Sequence, residues 1–266
     1  MKQRILSHLP PNHPWSGSIH YFDTTGSTND EAKHLAANGA PQGTVVIAGH
    51  QTGGRGRMGR SFHSPAGLGI YLSVILRPDC APADLMHLTC AAAVSMCDAV
   101  EASAGFRPGI KWTNDLVYGK RKLGGILTEL SLDASGTVNY AVVGIGINCR
   151  HTPEDFPPEL QDMAGSLSMV TGKPVDAAAV AAAMIEALYS MDQHLLTGKA
   201  AIMDRYRAGC VTIGKEVSIH RFEEVRHGTA VGVDDEGALS VCFPDGHTET
   251  VAAGEVSIRG MYGYVN

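Results

Sequence analysis

Short apolar runs alternate with longer amphipathic segments along most of this chain, a pattern typical of a sheet covered by helices. Residues 19–22, 44–48, 70–76 and 138–149 are rich in β-branched and aromatic side chains and predict strands. Residues 110–130 predict three more, with a polar segment after the first and a turn at Tyr118-Gly119-Lys120 after the second. Together these runs predict a sheet.

Helices are predicted at residues 28–37, 82–104, 175–196 and 200–208, where apolar residues follow helical spacing. The first helix has Ser27 or Thr28 as its N-cap, two acidic residues in its first turn and a stop at Asn38-Gly39. The others are apolar enough to be scaffold. Residues 150–165 form an acidic, proline-containing loop that predicts a mobile lid.

The chain changes character after Cys210, where short β-type runs are separated by tight turns. Such runs occupy residues 217–220, 228–233, 239–243, 249–251 and 256–258. Five strands in so short a segment predict a small β-barrel of SH3 type. We therefore predict two domains, 1–212 and 213–266.

One loop, residues 50–60, combines glycines and arginines directly after an apolar strand. Its sequence is His50-Gln51-Thr52-Gly53-Gly54-Arg55-Gly56-Arg57-Met58-Gly59-Arg60. Glycine lets a backbone approach a ligand closely, and arginine donates paired hydrogen bonds to phosphate and carboxylate groups. The loop predicts an anion-binding site, although a solvated basic hairpin tip is the simpler alternative.

The same loop contains the spacing of a dinucleotide-binding motif, but its context is wrong. That motif requires a helix opening at the last glycine and an acidic residue about 20 positions later. Turn formers and then a strand follow here instead. A nicotinamide-dependent oxidoreductase is therefore not predicted.

Glycines also interrupt the predicted strands farther along the chain. Gly124-Gly125 break one strand, and Gly144 and Gly146 alternate along the next. Glycine weakens a strand unless something must approach its backbone, so these positions predict a ligand platform. Lys122, directly before the first pair, is the best candidate for a cation facing that ligand. An exposed hairpin lysine, like Lys120, is the alternative.

Two polar clusters permit more than one interpretation. Ser27-Thr28-Asn29 suits helix capping, and it equally suits binding of a ureido, amide or carboxylate group at the helix N-terminus. Asn114-Asp115 is consistent with a turn, or with contacts to ribose hydroxyls or a magnesium ion. Residue chemistry alone leaves both choices open.

Composition narrows the class of protein. The chain has 266 residues, 44% of them hydrophobic, with a net charge of -6 and a pI near 6.0. An acidic protein is not expected to bind nucleic acid nonspecifically as its main role. The six cysteines form no metal-ligand or CxxC pattern and predict reduced thiols. Neither a signal peptide nor a membrane span is evident, so we expect a cytoplasmic protein.

Taken in order, five stretches resemble the biotin protein ligase family over essentially the whole chain. They are Ser27-Thr28-Asn29, the loop from Gln51 to Arg60, Lys111-Trp112-Thr113-Asn114-Asp115, Arg121-Lys122-Leu123-Gly124-Gly125-Ile126-Leu127, and Gly144-Ile145-Gly146-Ile147-Asn148. The combination is far more specific than any one motif. The resemblance implies an α+β fold, with a mixed-sheet catalytic domain of the biotin/lipoate ligase type, helices packed on the sheet, and a small C-terminal SH3-like β-barrel.

The resemblance also implies a two-step reaction and a set of site residues. Biotin would attack Mg-ATP to give biotinyl-5′-AMP, and a lysine of a biotin carboxyl carrier protein would then accept the biotinyl group. Cations are needed because both reactants are anionic. The implied catalytic residues are Lys122, Arg57 and Arg55. The implied biotin-binding residues are Ser27, Thr28, Asn29, Gln51, Arg55, Gly56, Arg57, Lys122 and Gly125. The nucleotide would contact Arg57, Arg60, Phe62, Asn114, Asp115 and Asn148, and Asp115 is the candidate Mg²⁺ ligand.

Some members of this family repress transcription through an N-terminal DNA-binding domain. About 20 residues precede the first predicted strand, too few for such a domain, so we expect a monofunctional enzyme that does not bind DNA. A homodimer is possible, and membrane association is not expected. Two alternatives compete: a lipoate or octanoate ligase on the same fold, and a nucleic-acid-binding module that uses the basic loop and the barrel. The acidic residues of the predicted barrel disfavour the second: Asp234, Asp235, Glu236, Asp245, Glu249 and Glu255.

Overall fold

A computed structural model of the chain describes residues 1–221, 224–252 and 257–259. Its larger sheet has seven strands in the order β1-β2-β3-β7-β6-β5-β4. The strands are β1 (Ile19–Phe22), β2 (Val45–Ala48), β3 (Gly69–Leu76), β4 (Gly109–Lys111), β5 (Asp115–Tyr118), β6 (Arg121–Leu132) and β7 (Val138–Asn148). β1 and β2 are parallel and the other pairs antiparallel. The predicted mixed sheet is confirmed.

Helices cover both faces of this sheet. They are α1 (Lys2–His8), α2 (Thr28–Ala37), α3 (Leu88–Ala104), α4 (Leu167–Thr171), α5 (Ala177–His194) and α6 (Lys199–Gly209). α2 packs on β2, β3 and β7, while α3 and α5 pack on the opposite face. Because both faces are covered, the strands are apolar at successive positions: Val46 and Ile75 face α2, and Val45 and Val74 belong to the larger core.

A second, smaller sheet is antiparallel and lies at the C-terminal end, in the order β11-β10-β9-β8-β12. Its strands are β8 (Glu216–Arg221), β9 (Glu224–Val233), β10 (Leu239–Cys242), β11 (Thr248–Val251) and β12 (Ser257–Arg259). The predicted all-β C-terminal unit is confirmed. The last predicted strand includes Val256, and the acidic set includes Glu255; both lie outside the described residues. The boundary between 212 and 213 stays a prediction.

The helix predicted at 82–104 is observed, with a 3-10 turn, Pro82–Leu85, as its first part and α3 from Leu88 to Ala104 as the rest. α1 and α4 were not predicted, because short helices carry few apolar positions from which to detect a period. Although Pro82–Ala104 is long and apolar enough to span a membrane, 72% of its apolar window is buried in the protein, as in the core helix of a globular domain.

Candidate active site

The register of three neighbouring strands creates a bare patch on the sheet face that α2 covers. Gly125 of β6 lies opposite Gly146 of β7, and Gly144 lies between Leu127 of β6 and Ser73 of β3. Because side chains alternate along a strand, these positions share one face. A Cβ atom on Gly146 would overlap the Phe62 ring, and one on Gly144 would overlap the Asn29 amide. The glycines therefore admit side chains from other segments to the sheet surface.

A cavity of about 460 Å³ lies over this patch. It is bounded by the N-terminus of α2, the arginine loop, the start of β5, the glycines of β6 and β7, and the segment from Phe156 to Ala164. All of the site residues implied by the family resemblance line it, from Ser27 on α2 to Asn148 at the end of β7. The tertiary fold thus brings together positions that are more than 100 residues apart in sequence.

Five basic side chains line the cavity, and Asp115 is the one carboxylate among the described lining residues. The basic residues are Arg55, Arg57, Arg60, Lys111 and Lys122. Lys122 Nζ lies 2.6 Å from Asp115 Oδ1, so the lysine is held over the glycine floor by an ion pair. The cavity is a cationic site on a protein whose net charge is -6.

Lys111 is the most deeply buried of these cations and was not predicted as a site residue. Its position is only 7% exposed. Burial lowers the pKa of Lys111 to about 8; the charges of Lys122 and Arg60 also lower it, while the Asp115 carboxylate opposes the shift. An anion that enters the cavity would therefore stabilise the charged form of Lys111 and raise its pKa.

Arg57 is held by Asn114, which explains one of the two polar clusters. The Arg57 guanidinium donates to Asn114 Oδ1 at 3.1 Å, and the Asn114 amide donates in turn to the carbonyl of Ile126 at 2.9 Å. Burial lowers the pKa of Arg57, and Asp115 opposes that shift. Asn114 thus anchors the arginine loop to the sheet.

Asn29 is fixed at the bottom of the cavity by a network that the sequence did not reveal. Its amide nitrogen donates to Glu129 at 2.7 Å and to the carbonyl of Leu127 at 3.3 Å, and its oxygen accepts from Ser73 Oγ at 2.6 Å. The residue is only 4% exposed. Ser73 and Glu129 themselves belong to none of the motifs, so only the strand register could have identified them.

Gln51 supplies the helix cap that was expected from Ser27. No hydrogen bond from the Ser27 side chain caps α2. Instead, Gln51 Oε1 accepts from the backbone N–H and the hydroxyl of Thr28, at 2.8 and 3.1 Å, while its amide donates to Ser64. Ser27 is the N-cap residue of α2, as predicted, but its hydroxyl makes no capping hydrogen bond. Gln51 connects α2 to the base of the arginine loop.

Arg55 lies differently from what its implied catalytic role suggests. Its guanidinium donates to Asp30 Oδ1 at 2.7 Å and to Glu129 Oε2 at 3.1 Å, and Lys33 contacts the same two carboxylates. It lines the cavity, but these carboxylates neutralise its charge. In this structure Arg55 braces the loop against α2 and β6 rather than facing Lys122.

The far wall is the predicted lid. Lys122 donates its backbone N–H to the carbonyl of Met163, and Gly165 donates to the carbonyl of Lys122. Asn148, an implied nucleotide contact, donates from its side-chain amide to the carbonyl of Gly165 at 3.0 Å. His63 of the opposite wall lies 2.9 Å from the carbonyl oxygen of Asp155. The lid segment is thus joined to β6, β7 and the arginine loop, while its mobility stays a prediction.

The described residues contain no group of three or more His, Cys, Asp or Glu side chains that could hold a metal ion. Asp115 alone offers a carboxylate to the cavity among the described lining residues, and it is paired with Lys122. A single carboxylate suits Mg²⁺ only when phosphate oxygens and water complete the coordination. The residues therefore fit a metal ion that enters with a polyphosphate.

Two family models match the chain. Residues 21–148 match the Biotin/lipoate A/B protein ligase family, and residues 212–259 match the Biotin protein ligase C terminal domain. The first spans all of the site residues, and the second covers all five strands of the small sheet.

Among curated proteins, the chain is 39% identical to the bifunctional ligase/repressor BirA of Bacillus subtilis over 220 residues, which are 82% of this chain and 67% of that protein. It is 33% identical to the biotin–[acetyl-CoA-carboxylase] ligase of Mycobacterium tuberculosis, covering 87% of this chain and 85% of that one. A solved structure of the Aquifex aeolicus biotin protein ligase, in complex with biotin and ATP, matches with a TM-score of 0.76 and 27% identity. The match covers 91% of this chain and 98% of the Aquifex chain.

Proposed function

This chain belongs to the biotin/lipoate A/B protein ligase family, and we infer that it activates biotin with ATP and attaches it to a lysine of a carrier protein. The observation that carries this function is the cavity, in which basic side chains surround a glycine floor on an acidic protein. Joining a carboxylate to a phosphate brings two anions together, and such a site must first neutralise them.

In the first step, a carboxylate oxygen of biotin bonds to the α-phosphorus of ATP, the bond to the β-phosphate oxygen breaks, and pyrophosphate leaves. In this proposal Lys122 lies where the two anions meet, since Asp115 holds it over Gly125. Arg57 and Lys111 neutralise the phosphates, together with Arg60. Mg²⁺ enters with ATP as part of the substrate, with Asp115 as the nearby carboxylate. Preorganised charge of this kind supplies most of the catalysis in phosphoryl chemistry.

The uncharged ring of biotin is assigned to the end of the cavity at the N-terminus of α2, away from Lys122. Asn29 and Thr28 present amide and hydroxyl groups there, beside Ser27 and the Gln51 side chain. Because Leu127, Glu129 and Ser73 fix the Asn29 amide and use both of its N–H donors, its Oδ1 is preorganised to accept from a polar ring. Phe62, whose ring lies on Gly146, supplies an aromatic surface for the nucleotide.

In the second step, the amine of a carrier lysine attacks the acyl carbon of biotinyl-5′-AMP, an amide forms, AMP leaves, and the amine loses a proton. The relative from Mycobacterium tuberculosis is named for acetyl-CoA carboxylase, so we propose that enzyme's biotin carboxyl carrier protein as the acceptor. We place the reaction in the cytoplasm, in line with the six free cysteines. A homodimer stays a prediction.

Pyrophosphate release with biotin as the only added acid tests the proposed function directly. The expected result is release that depends on both biotin and ATP, followed by transfer of labelled biotin to the carrier. The same assay with lipoate or octanoate in place of biotin separates the two ligase classes. Release with lipoate but not with biotin would overturn the proposal.

The arginine loop is expected to become protected from protease when the adenylate forms. Met58, at its tip, has a left-handed φ of 56° and is 62% exposed, so the loop is open to solvent. Closure over the acyl-adenylate would exclude water from a reactive mixed anhydride. Limited trypsin digestion should cleave after Arg57 at least several-fold more slowly with biotin and ATP together than with ATP alone. Equal rates would contradict loop closure.

The binding of ATP at pH 8 is expected to take up about half a proton through Lys111. Burial lowers the pKa of Lys111 to about 8, so roughly half of the molecules carry an uncharged amine at that pH. A bound polyphosphate raises the pKa, and the amine takes up a proton. At pH 6 the amine is already charged, so this uptake should vanish.

Titration calorimetry in two buffers of different ionisation enthalpy, with no biotin present, measures this proton uptake. Lys111→Met, which removes the charge, should abolish the pH 8 component contributed by that residue. Uptake at pH 8 that is unchanged in the variant would show that another group is responsible.

A further inference from the structure

Residues 111–115 are hydrogen-bonded to residues of the C-terminal part of the chain. The Trp112 indole donates its Nε1–H to the carbonyl of Gly237, in the turn between β9 and β10, at 2.9 Å. The Trp112 backbone N–H donates to Thr212 Oγ1 at 2.9 Å. Tyr206 of α6 donates its hydroxyl to the carbonyl of Thr113 at 3.0 Å. Three hydrogen bonds thus join this segment to elements outside the larger sheet.

The turn that receives the indole is itself rigid. Asp234 Oδ1 accepts from the backbone N–H groups of Glu236 and Ala238 at 3.0 and 2.8 Å. Arg207 of α6 donates to the carbonyl of Val233 and to Asp235. Gly237 has a φ of +85°, and a Cβ there would lie 2.9 Å from Cys90 Sγ. Its carbonyl is therefore fixed against α3 and α6.

Trp112 is flanked by the groups proposed to handle the nucleotide. Lys111 precedes it, Asn114 holds Arg57, and Asp115 holds Lys122. Trp112 is 5% exposed, and its buried indole N–H has the Gly237 carbonyl as its partner. Losing the carbonyl partner would let the segment move and shift these side chains together, and small displacements of positioned groups are costly to catalysis.

We propose that Trp112 is a positioning residue for the nucleotide half of the site, through which the C-terminal sheet sets the geometry of Lys111, Asn114 and Asp115. The proposal rests on the proposed function, and it assigns to the small sheet a role in the first step of the reaction. Asn29, at the biotin end, is held by Ser73 and Glu129 rather than through the small sheet, so biotin binding should be unaffected.

Trp112→Phe tests the indole hydrogen bond while keeping an aromatic ring. The expected result is a rise of about tenfold in KM for ATP and a fall in kcat, with biotin affinity within about twofold of the unchanged chain. The matched control is Trp15→Phe, which changes the other buried tryptophan of the chain, packed against Tyr189 away from the cavity. Trp15→Phe should leave KM for ATP, kcat and biotin affinity unchanged.

A second pair of variants removes the risk that Trp112→Phe fails to fold. Thr212→Val deletes the acceptor of the Trp112 backbone N–H, and Thr212→Ser keeps it. Thr212→Val should reproduce the ATP-specific defect, and Thr212→Ser should restore values near those of the unchanged chain.

Equal ATP constants in Thr212→Val and Thr212→Ser, or parallel losses of biotin and ATP affinity, would overturn the positioning role. Absence of biotin-dependent pyrophosphate release in the unchanged chain would instead overturn the proposed function, so the two failures are distinguishable.

Discussion

Replacing Lys122 with alanine is expected to lower the rate of biotinyl-5′-AMP formation by about 10²–10³-fold, the typical cost of removing one preorganised group that stabilises developing charge. The ammonium is the cation that the Asp115 carboxylate places over the bare glycine floor, 2.6 Å from Oδ1. Without it, the carboxylate and the α-phosphate repel each other where they must meet. Single-turnover pyrophosphate release measures the loss separately from product dissociation.

The matched control is Lys120→Ala, which removes a lysine two residues away at the exposed turn between β5 and β6. It should retain the full rate, because surface charges of this kind contribute little. Lys122→Ala should keep its fold, since the Lys122 side chain is 25% exposed and alanine is tolerated in its place at a strand position. A Lys122→Ala rate within about fivefold of the unchanged chain would refute the assignment.

Gly144→Ala is expected to lower the free energy of unfolding by about 1–3 kcal/mol and to weaken biotin binding by roughly tenfold or more. A Cβ at this position would overlap the Asn29 amide, which is already fixed by Ser73, Leu127 and Glu129. The amide would have to leave its position and give up its hydrogen bonds to Ser73, Leu127 and Glu129. Urea unfolding measures the first effect and equilibrium dialysis of biotin the second.

Gly232→Ala provides the control, because Gly232 is also a strand glycine, in β9, and nothing lies within 4 Å of its added Cβ. This variant should leave stability almost unchanged and biotin binding intact. If Gly144→Ala and Gly232→Ala behaved alike, the close approach of Asn29 to β7 would have no functional consequence.

Glycine and arginine usage is enough to locate the site along the chain. The loop from Gln51 to Arg60 and the glycines of β6 and β7 predicted close approach of an anion, and they do line one cavity. Their placement around one cavity could be predicted because an exposed basic loop has no structural need for so many glycines, and a strand has none for alternating ones; the binding of an anion there stays a prediction.

The partners of those residues could not be predicted in the same way. No motif includes Glu129, Ser73 or Thr212. Their hydrogen-bond partners are distant in sequence and are determined by strand register and tertiary packing. Ser27 illustrates the opposite error: a good N-cap residue in sequence leaves the capping hydrogen bond to Gln51, which is 24 positions away in sequence, because the Gln51 amide oxygen reaches Thr28.

The sequence alone determined the strands, the all-β C-terminal unit, the glycine- and arginine-rich loop and the family, because each of these depends on local pattern and residue chemistry. The tertiary structure alone decided the surroundings of each basic side chain at the cavity. It pairs Arg55 with Asp30 and Glu129, places Lys122 beside Asp115, and buries Lys111 until its pKa falls to about 8. The physical reason is that the energy of a charge depends on its burial and on its nearest countercharge, and folding brings both from distant parts of the chain.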